Sequence, residues 1–175
     1  MSENILIVYS STDGQTKKIC DFIANLCKEH KKNVHITNIN NPDFNIIDYD
    51  KVVIASSIRY GKHDPKIIDI IEKNAKLIGG KKNAFISVNL VARKEDKNTP
   101  TTNPYLKTFL SNTIWEPNLI GLFPGVLNYK IYSFWDSLMI KLIMLSTGGP
   151  TSSKTNIEYT DWNKVADFAN KIVRL

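Results

Sequence analysis

The sequence predicts a doubly wound α/β fold, in which a parallel sheet of about five strands carries helices on both faces. Three observations predict it. Short apolar runs alternate with longer stretches in which apolar residues recur at helical spacing. The runs are continuously apolar, as is typical of strands buried on both faces of a parallel sheet. The chain has 175 residues, a length typical of one domain, so we predict a single unit over residues 1–175.

The first half of the chain predicts three strands. Residues 4–9, NILIVY, form the first strand, residues 33–37 a weaker outer strand, and residues 51–55, KVVIA, the third. A helix follows the first strand from Gly14, because apolar residues then recur every three or four positions. A second helical stripe consists of Ile67, Ile68, Ile71, Ala75 and Ile78.

The second half continues this alternation to a fifth strand and a closing helix. Residues 84–88 predict the fourth strand, residues 105–110 a helix behind Pro104, and residues 119–123 the fifth strand. The last helix begins near Asp161, whose carboxylate suits the N-cap position.

Residues 124–157 form a long insert near the fifth strand that breaks the alternation. Its segment 131–145, IYSFWDSLMIKLIML, predicts a very apolar helix. At 1.5 Å per residue the helix measures about 22 Å, short of the roughly 30 Å hydrocarbon core of a bilayer. We expect it to contact a membrane surface or a hydrophobic ligand, with an ordinary core or dimer helix as the alternative.

The formal net charge of +6 favours anionic partners. The lysines are dispersed and form no aromatic-lined basic stripe, so nucleic-acid binding is the weakest interpretation. Carboxylates, phosphates and acidic lipid headgroups remain open on this evidence.

A cluster of hydroxyls follows the first strand, in the segment SSTDGQT at residues 10–16. Backbone N–H groups and the positive end of the helix dipole favour a phosphate here, and Ser11, Thr12 and Thr16 add donors. Alternatively, Asp13 caps the helix and the turn binds nothing. The segment contains neither a G-K-[ST] nor a G-x-G-x-x-G pattern, so it does not predict binding of ATP or NAD. In a doubly wound sheet ligands bind at the carboxyl ends of the strands, so the segments 56–63 and 89–102 belong to the same candidate site.

The first loop resembles the flavodoxin phosphate loop S/T-x-T-G-x-T, aligned on residues 11–16. Asp13 stands where flavodoxins usually carry a threonine, so we expect its carboxylate to point away from the phosphate. Four further segments resemble those of the bacterial quinone-dependent protoporphyrinogen IX dehydrogenases, a family that also carries D-G-Q-T in the first loop. These segments are VVIASSIRYG at 52–61, SVNLVARK at 87–94, MIKLIM at 139–144 and YTDW at 159–162.

The resemblance runs from Ile5 to Ile172 and implies a flavodoxin-like fold that binds one FMN. It implies oxidation of protoporphyrinogen IX to protoporphyrin IX in heme biosynthesis, with menaquinone or ubiquinone as electron acceptor. It also implies peripheral contact with the cytoplasmic side of the bacterial inner membrane, and a homo-oligomer stays open. The alternatives are a flavodoxin-type electron carrier and an NAD(P)H:quinone reductase.

The fold implied by this family places sixteen residues at the cofactor. They are Ser11, Thr12, Asp13, Gly14, Gln15, Thr16, Ser57, Ile58, Arg59, Tyr60, Gly61, Asn89, Leu90, Val91, Ala92 and Arg93.

Individual roles follow from side-chain chemistry. Tyr60 can stack on the flavin or serve as loop packing. His63 is either a proton acceptor or a solvated loop histidine. Arg59 and Arg93 are candidates for the propionates of the porphyrinogen, because arginine binds carboxylates bidentately. The residues expected to face substrate or membrane in the insert are Lys130, Phe134, Trp135 and Lys141.

Overall fold

A computed structural model describes residues 2–41, 43–146 and 148–175 of the chain. In this part the central sheet has the order β2-β1-β3-β5-β6, with all neighbours parallel. The strands are β1 (Asn4–Ser10), β2 (Asn33–Asn38), β3 (Lys51–Arg59), β5 (Lys82–Val88) and β6 (Leu119–Phe123), and a short β4 (Lys62–His63) pairs antiparallel with β3. The predicted strands and the doubly wound parallel sheet are confirmed.

Helices cover both faces of this sheet. They are α1 (Gln15–Glu29), α2 (Pro65–Gly79), α3 (Pro104–Asn112), α4 (Phe134–Ser146) and α5 (Trp162–Arg174). In β1, Ile5 and Ile7 pack in the core with α1 and α5, whereas Leu6 and Val8 pack in the core with α2 and α3. Because successive strand residues point to opposite faces, a strand covered on both sides must be apolar at every position.

The helix starts are set by local chemistry. Asp161 caps α5, since its carboxylate accepts hydrogen bonds from the backbone N–H groups of Asn163 and Lys164 at 3.0 and 3.2 Å. The alternative in which Asp13 caps α1 is wrong. The N-cap of α1 is Gly14, at a φ of +86°, and no side chain caps this helix. A positive φ is accessible to glycine without steric cost.

Residues 124–157 hold a two-stranded antiparallel hairpin of β7 (Val126–Asn128) and β8 (Asn156–Glu158), with α4 between its strands. The hairpin was not predicted, because strands of three residues leave too short a pattern. Helix α4 begins three residues later than expected. Ser133 directly precedes the helix, and its Oγ accepts a 3.2 Å hydrogen bond from the Asp136 N–H in the first turn. In the described part of the chain, no helix combines the length and apolar character needed to cross a bilayer.

The carboxyl ends of β1, β3 and β5 lie side by side at one edge of the sheet. Their loops therefore meet there, and α4 lies against them.

Candidate functional site

A cavity of about 150 Å³ lies at this edge, between α4 and the loops after β1, β3 and β5. Most of the residues predicted at the cofactor line it: Ser11, Asp13, Gln15, Thr16, Ser57, Ile58, Arg59, Tyr60, Gly61, Asn89, Leu90 and Val91. Other predicted residues are not in its lining: Thr12, Gly14, His63, Ala92, Arg93, Lys130, Phe134, Trp135 and Lys141. The three loops thus form one site, as the topology predicts.

The loop after β1 and the first turn of α1 hold two buried hydroxyls that have no hydrogen-bond partner among the described residues. They are Ser11 Oγ and Thr16 Oγ1. Burying a hydroxyl without a partner is unfavourable, so such groups call for a ligand acceptor. Both belong to the segment that resembles a phosphate loop, which leads through the N-cap Gly14 into the first turn of α1. The residues present therefore fit a bound phosphate.

Other polar groups of this loop are already used within the protein. The Thr12 N–H donates to Ser57 Oγ at 3.3 Å, which ties the loop after β1 to the end of β3. The Gln15 amide donates to Glu158 Oε1 at 3.0 Å and to Thr160 Oγ1 at 2.9 Å. Gln15 therefore joins the start of α1 to the far end of the chain.

Asp13 faces the cavity, contrary to the expectation that it points away. Its Oδ1 lies 3.4 Å from Arg59 Nη1, and this guanidinium attracts the carboxylate inward. Burial raises the pKa of Asp13, and the nearby Arg59 opposes that rise. Arg59 also forms an ion pair with Asp136 of α4. One guanidinium is thus shared between two carboxylates.

Asp136 lines the cavity, although it is not among the residues predicted at the cofactor or the substrate. It is buried and accepts hydrogen bonds from Tyr60 Oη at 2.6 Å and Ser133 Oγ at 2.7 Å. These two hydrogen bonds are the main reason that the pKa of Asp136 lies below its ordinary value. An acid isolated within a very apolar helix is the signal that could have identified it, because a buried carboxylate needs partners.

Tyr60 adopts a left-handed backbone conformation, at a φ of +49°, and its side chain is 66% exposed. Its hydroxyl contacts Asp136, and the Arg59 guanidinium lies 5.4 Å from its ring centroid. The side chain thus bridges the loop after β3 and α4 rather than packing within its own loop.

His63 lies in the core, so the expectation of a solvated loop histidine is wrong. It is 4% exposed, its ring contacts Phe85 and Phe109 edge-on, and its Nε2 lies 2.9 Å from Ser87 Oγ. Burial lowers the pKa of His63 to about 4. The short strand β4 pairs antiparallel with β3, and the His63 ring packs against the core aromatics outside the cavity lining. We therefore do not assign it as the proton acceptor.

Arg93 also lies outside the lining, in contrast to Arg59. Its Nη1 donates to the Leu90 carbonyl at 3.0 Å, and its guanidinium lies 5.9 Å from the Tyr159 ring centroid. The side chain curls back on its own 3-10 turn, Leu90–Arg93. Of the two arginines proposed for carboxylates, Arg59 is the one at the cavity.

Helix α4 has an unusual arrangement of its residues. Asp136, Met139 and Ile140 line the cavity, whereas Phe134 and Trp135 are 75% and 71% exposed. Lys141 lies with its ammonium 5.6 Å from the Tyr129 ring centroid. Lining residues that were not predicted are Val88, Tyr105, Gly125, Val126, Tyr132, Asp136, Met139, Ile140, Ile143 and Met144.

The comparisons with known proteins agree with this architecture. A family model described as a flavodoxin domain matches residues 6–154. The chain belongs to the flavodoxin-domain family. It is 40% identical over 173 residues to protoporphyrinogen IX dehydrogenase (quinone) of Escherichia coli strain K12, across 97% of this chain and 94% of that protein. It is 42% identical to the Leishmania major protein of the same name, across 99% of this chain and 76% of the relative.

Solved flavodoxin structures share the fold at low sequence identity. A short-chain flavodoxin associated with a PDU bacterial microcompartment has a TM-score of 0.58 at 12% identity, over 99% of this chain and 98% of the other. Flavodoxin 1 of Bacillus cereus has a TM-score of 0.54 at 14% identity, over 98% and 97%. A Fusobacterium nucleatum flavodoxin bound to flavin mononucleotide has a TM-score of 0.51 at 13% identity, over 98% and 95%. The predicted flavodoxin-like fold and the resemblance to the dehydrogenases are both confirmed.

Proposed function

We propose that this flavodoxin-domain protein oxidises protoporphyrinogen IX to protoporphyrin IX in heme biosynthesis, with FMN as cofactor and a quinone as electron acceptor. The observation that carries the proposal is the 40% identity to the dehydrogenase across 97% of the chain. The aligned region covers nearly the whole chain and so includes the three loops of the cavity and α4. A pure electron carrier needs no apolar helix beside its cofactor, and such carriers are usually acidic whereas this chain carries +6.

The FMN phosphate would be held by the segment 11–16, through the hydroxyls of Ser11 and Thr16 and the N–H groups at the start of α1. When bound, the flavin supplies the acceptor for the electrons of the porphyrinogen. The two loops that would flank its ring are residues 57–61 and 89–93, most of which line the cavity.

The chain itself binds and orients the donor. Ile58, Leu90, Met139 and Ile140 give the cavity apolar walls, which suit a tetrapyrrole and exclude water. Arg59 is the candidate for a propionate carboxylate. Because His63 lies in the core outside the cavity lining, and burial makes it a weak base by lowering its pKa to about 4, proton removal falls to water or to another cavity group.

The decisive experiment is anaerobic mixing of FMN-loaded protein with protoporphyrinogen IX. We expect loss of the oxidised-flavin absorbance, with recovery when menaquinone or ubiquinone is added. Bleaching by NADPH but not by protoporphyrinogen would instead indicate an NAD(P)H:quinone reductase. Bleaching by neither compound would indicate an electron carrier.

We further propose that the outer face of α4 contacts the cytoplasmic side of the inner membrane, where the quinone resides. Phe134, Trp135, Leu142 and Leu145 are each more than half exposed on this face. An aromatic and apolar face on a short helix is typical of interfacial helices, and the basic chain suits anionic headgroups.

Sedimentation with phosphatidylglycerol vesicles tests the membrane proposal. The double variant Trp135→Ser/Leu142→Ser should lose most vesicle binding and keep FMN. The matched control is Ile114→Ser, since Ile114 is 79% exposed in the loop before β6, away from α4. Unchanged vesicle binding with a smaller oligomer on a sizing column would show that a second copy covers this face instead.

A further inference from the structure

Arg59 is an internally neutralised cation. Among the described residues that line the cavity it carries the positive charge, and it contacts two carboxylates, Asp13 and Asp136. The guanidinium offers five N–H donors in a planar fork that matches a carboxylate or phosphate. In this arrangement those donors face acids of the protein itself. An oxyanion that enters the cavity must therefore compete with them.

The two acids differ in what supports them besides Arg59. Asp136 keeps two strong donors, Tyr60 Oη at 2.6 Å and Ser133 Oγ at 2.7 Å, neither of which involves the guanidinium. A buried carboxylate that loses a cation is destabilised strongly only when nothing else satisfies it. Asp136 can therefore release Arg59 and remain hydrogen-bonded. Asp13 has weaker support, because its burial disfavours the charged form and Arg59 opposes that effect.

We propose that Arg59 is an oxyanion-exchange site: an oxyanion of the bound ligand replaces the Asp136 carboxylate on the guanidinium, while Asp136 stays on Tyr60 and Ser133. This inference rests on the proposed function, in which the oxyanion is a propionate of the porphyrinogen. The FMN phosphate is the other oxyanion source with the same chemistry. In either case Asp136 acts as a competitor that sets ligand affinity and specificity.

The exchange predicts effects of opposite sign for the two residues. Asp136→Asn keeps the shape and an oxygen for Tyr60 but removes the competing charge, so the affinity for the oxyanion should rise. Arg59→Met removes the cation, so the affinity should fall. A merely structural clasp between the loop after β3 and α4 would make both substitutions weaken binding. In the Arg59→Met background, Asp136→Asn should have no effect on affinity.

The test uses FMN-loaded protein and measures the dissociation constants of protoporphyrin IX and its dimethyl ester by fluorescence titration. We expect Asp136→Asn to bind protoporphyrin IX about fivefold more tightly, which corresponds to the contribution of a single partly exposed ion pair. Its affinity for the dimethyl ester should not change. The matched control Glu116→Gln removes one negative charge from an exposed residue at the opposite edge of the sheet. It should change neither constant.

A parallel titration compares FMN with riboflavin, which lacks the phosphate. Asp136→Asn could strengthen the binding of FMN but not of riboflavin, and affect protoporphyrin IX and its ester equally. In that case the exchanging oxyanion is the cofactor phosphate. Equal or weaker binding of every ligand by Asp136→Asn overturns the exchange, and so does an effect that persists in the Arg59→Met background. These readouts do not depend on turnover. Flavin reduction by protoporphyrinogen with no Asp136→Asn shift removes this inference alone, whereas the shift without flavin reduction removes only the proposed function.

Discussion

The Tyr60 hydroxyl donates a 2.6 Å hydrogen bond to Asp136 Oδ1, across the cavity and between residues 76 positions apart. Tyr60 belongs to the loop after β3 and Asp136 to the first turn of α4. With Arg59 they form a polar clasp beneath a helix whose outward residues are apolar. The inner side of α4 is also apolar, since the buried Met144 packs against Leu127, so the helix lacks the polar outer face that is usual for a surface helix. The helix is therefore held by this clasp together with apolar packing, and the apolar residues of its outer face are exposed.

We expect Tyr60→Phe to loosen α4. The substitution removes one hydrogen bond to a charged acceptor, so local stability should fall by about 1–2 kcal/mol and the amides of α4 should exchange with deuterium about 5- to 30-fold faster. Hydrogen-exchange mass spectrometry measures this, with the amides of α5 as the internal control. Identical exchange in α4 would show that the clasp does not hold the helix.

Ser11 and Thr16 should contribute to cofactor affinity and not to folding. Their hydroxyls are buried without a partner in the described residues, so Ser11→Ala and Thr16→Val should leave the ligand-free protein equally stable or more stable by up to about 1 kcal/mol. Each should weaken FMN binding by about 10- to 150-fold, since a hydrogen bond to a charged phosphate contributes about 1.5–3 kcal/mol. Thermal unfolding and FMN fluorescence titration give the two values.

Thr160→Val is the matched control for the preceding pair. The Thr160 hydroxyl donates to the Pro124 carbonyl at 2.7 Å and accepts from Gln15 Nε2 at 2.9 Å. Here the same chemical change should destabilise the ligand-free protein by about 1–2 kcal/mol. If Ser11→Ala and Thr16→Val destabilise as much as Thr160→Val, the hydroxyls of the loop are structural.

The burial of His63 predicts acid sensitivity. Its folded-state pKa is lowered from 6.5 to about 4, so the unfolded chain takes up a proton before the folded protein does. This contribution to stability is complete above pH 6.5 and is lost as pH falls toward 4, amounting to about 3 kcal/mol by linkage. His63→Phe should flatten the dependence of the free energy of unfolding on pH over this window.

Urea unfolding at several pH values between 4 and 7 measures the effect. His30→Gln serves as control, because His30 is exposed at the end of α1 and its loss should leave the slope unchanged. A slope in His63→Phe equal to that of the parent protein would mean that carboxylates alone cause the acid sensitivity.

Lys51 should stabilise the end of α5. The side chain is buried, and its ammonium donates to the carbonyls of Ile172 and Val173 at 3.2 and 3.0 Å and pairs with Glu3 at 3.0 Å. Lys51→Met should lower the free energy of unfolding by about 2–4 kcal/mol, because the last carbonyls of the helix lose their donor. Lys82→Met, at the paired position on β5 but exposed, should change it by less than about 0.5 kcal/mol. Equal effects of the two substitutions would contradict this role.

Much of the fold was predictable because a buried strand appears in the sequence as a short, continuous apolar segment. Every position of residues 5–8 faces one core or the other, so the run is apolar throughout and is recognisable without its neighbours. The phosphate loop was predictable for a similar reason, since hydroxyls and a glycine lie within seven consecutive residues. In contrast, the hairpin of β7 and β8 joins segments about thirty residues apart, and three residues of each strand carry no readable period.

The sequence by itself determined the order of the helices and of the five parallel strands, the edge of the sheet where a ligand binds, and the family. Only the tertiary structure decided which charged and polar residues reach that edge. It placed His63 in the core, Arg93 on its own turn, and Asp13 and Asp136 on either side of Arg59. The physical reason is that apolar burial follows from spacing along a single element, whereas a charge settles beside partners that the fold brings from distant parts of the chain.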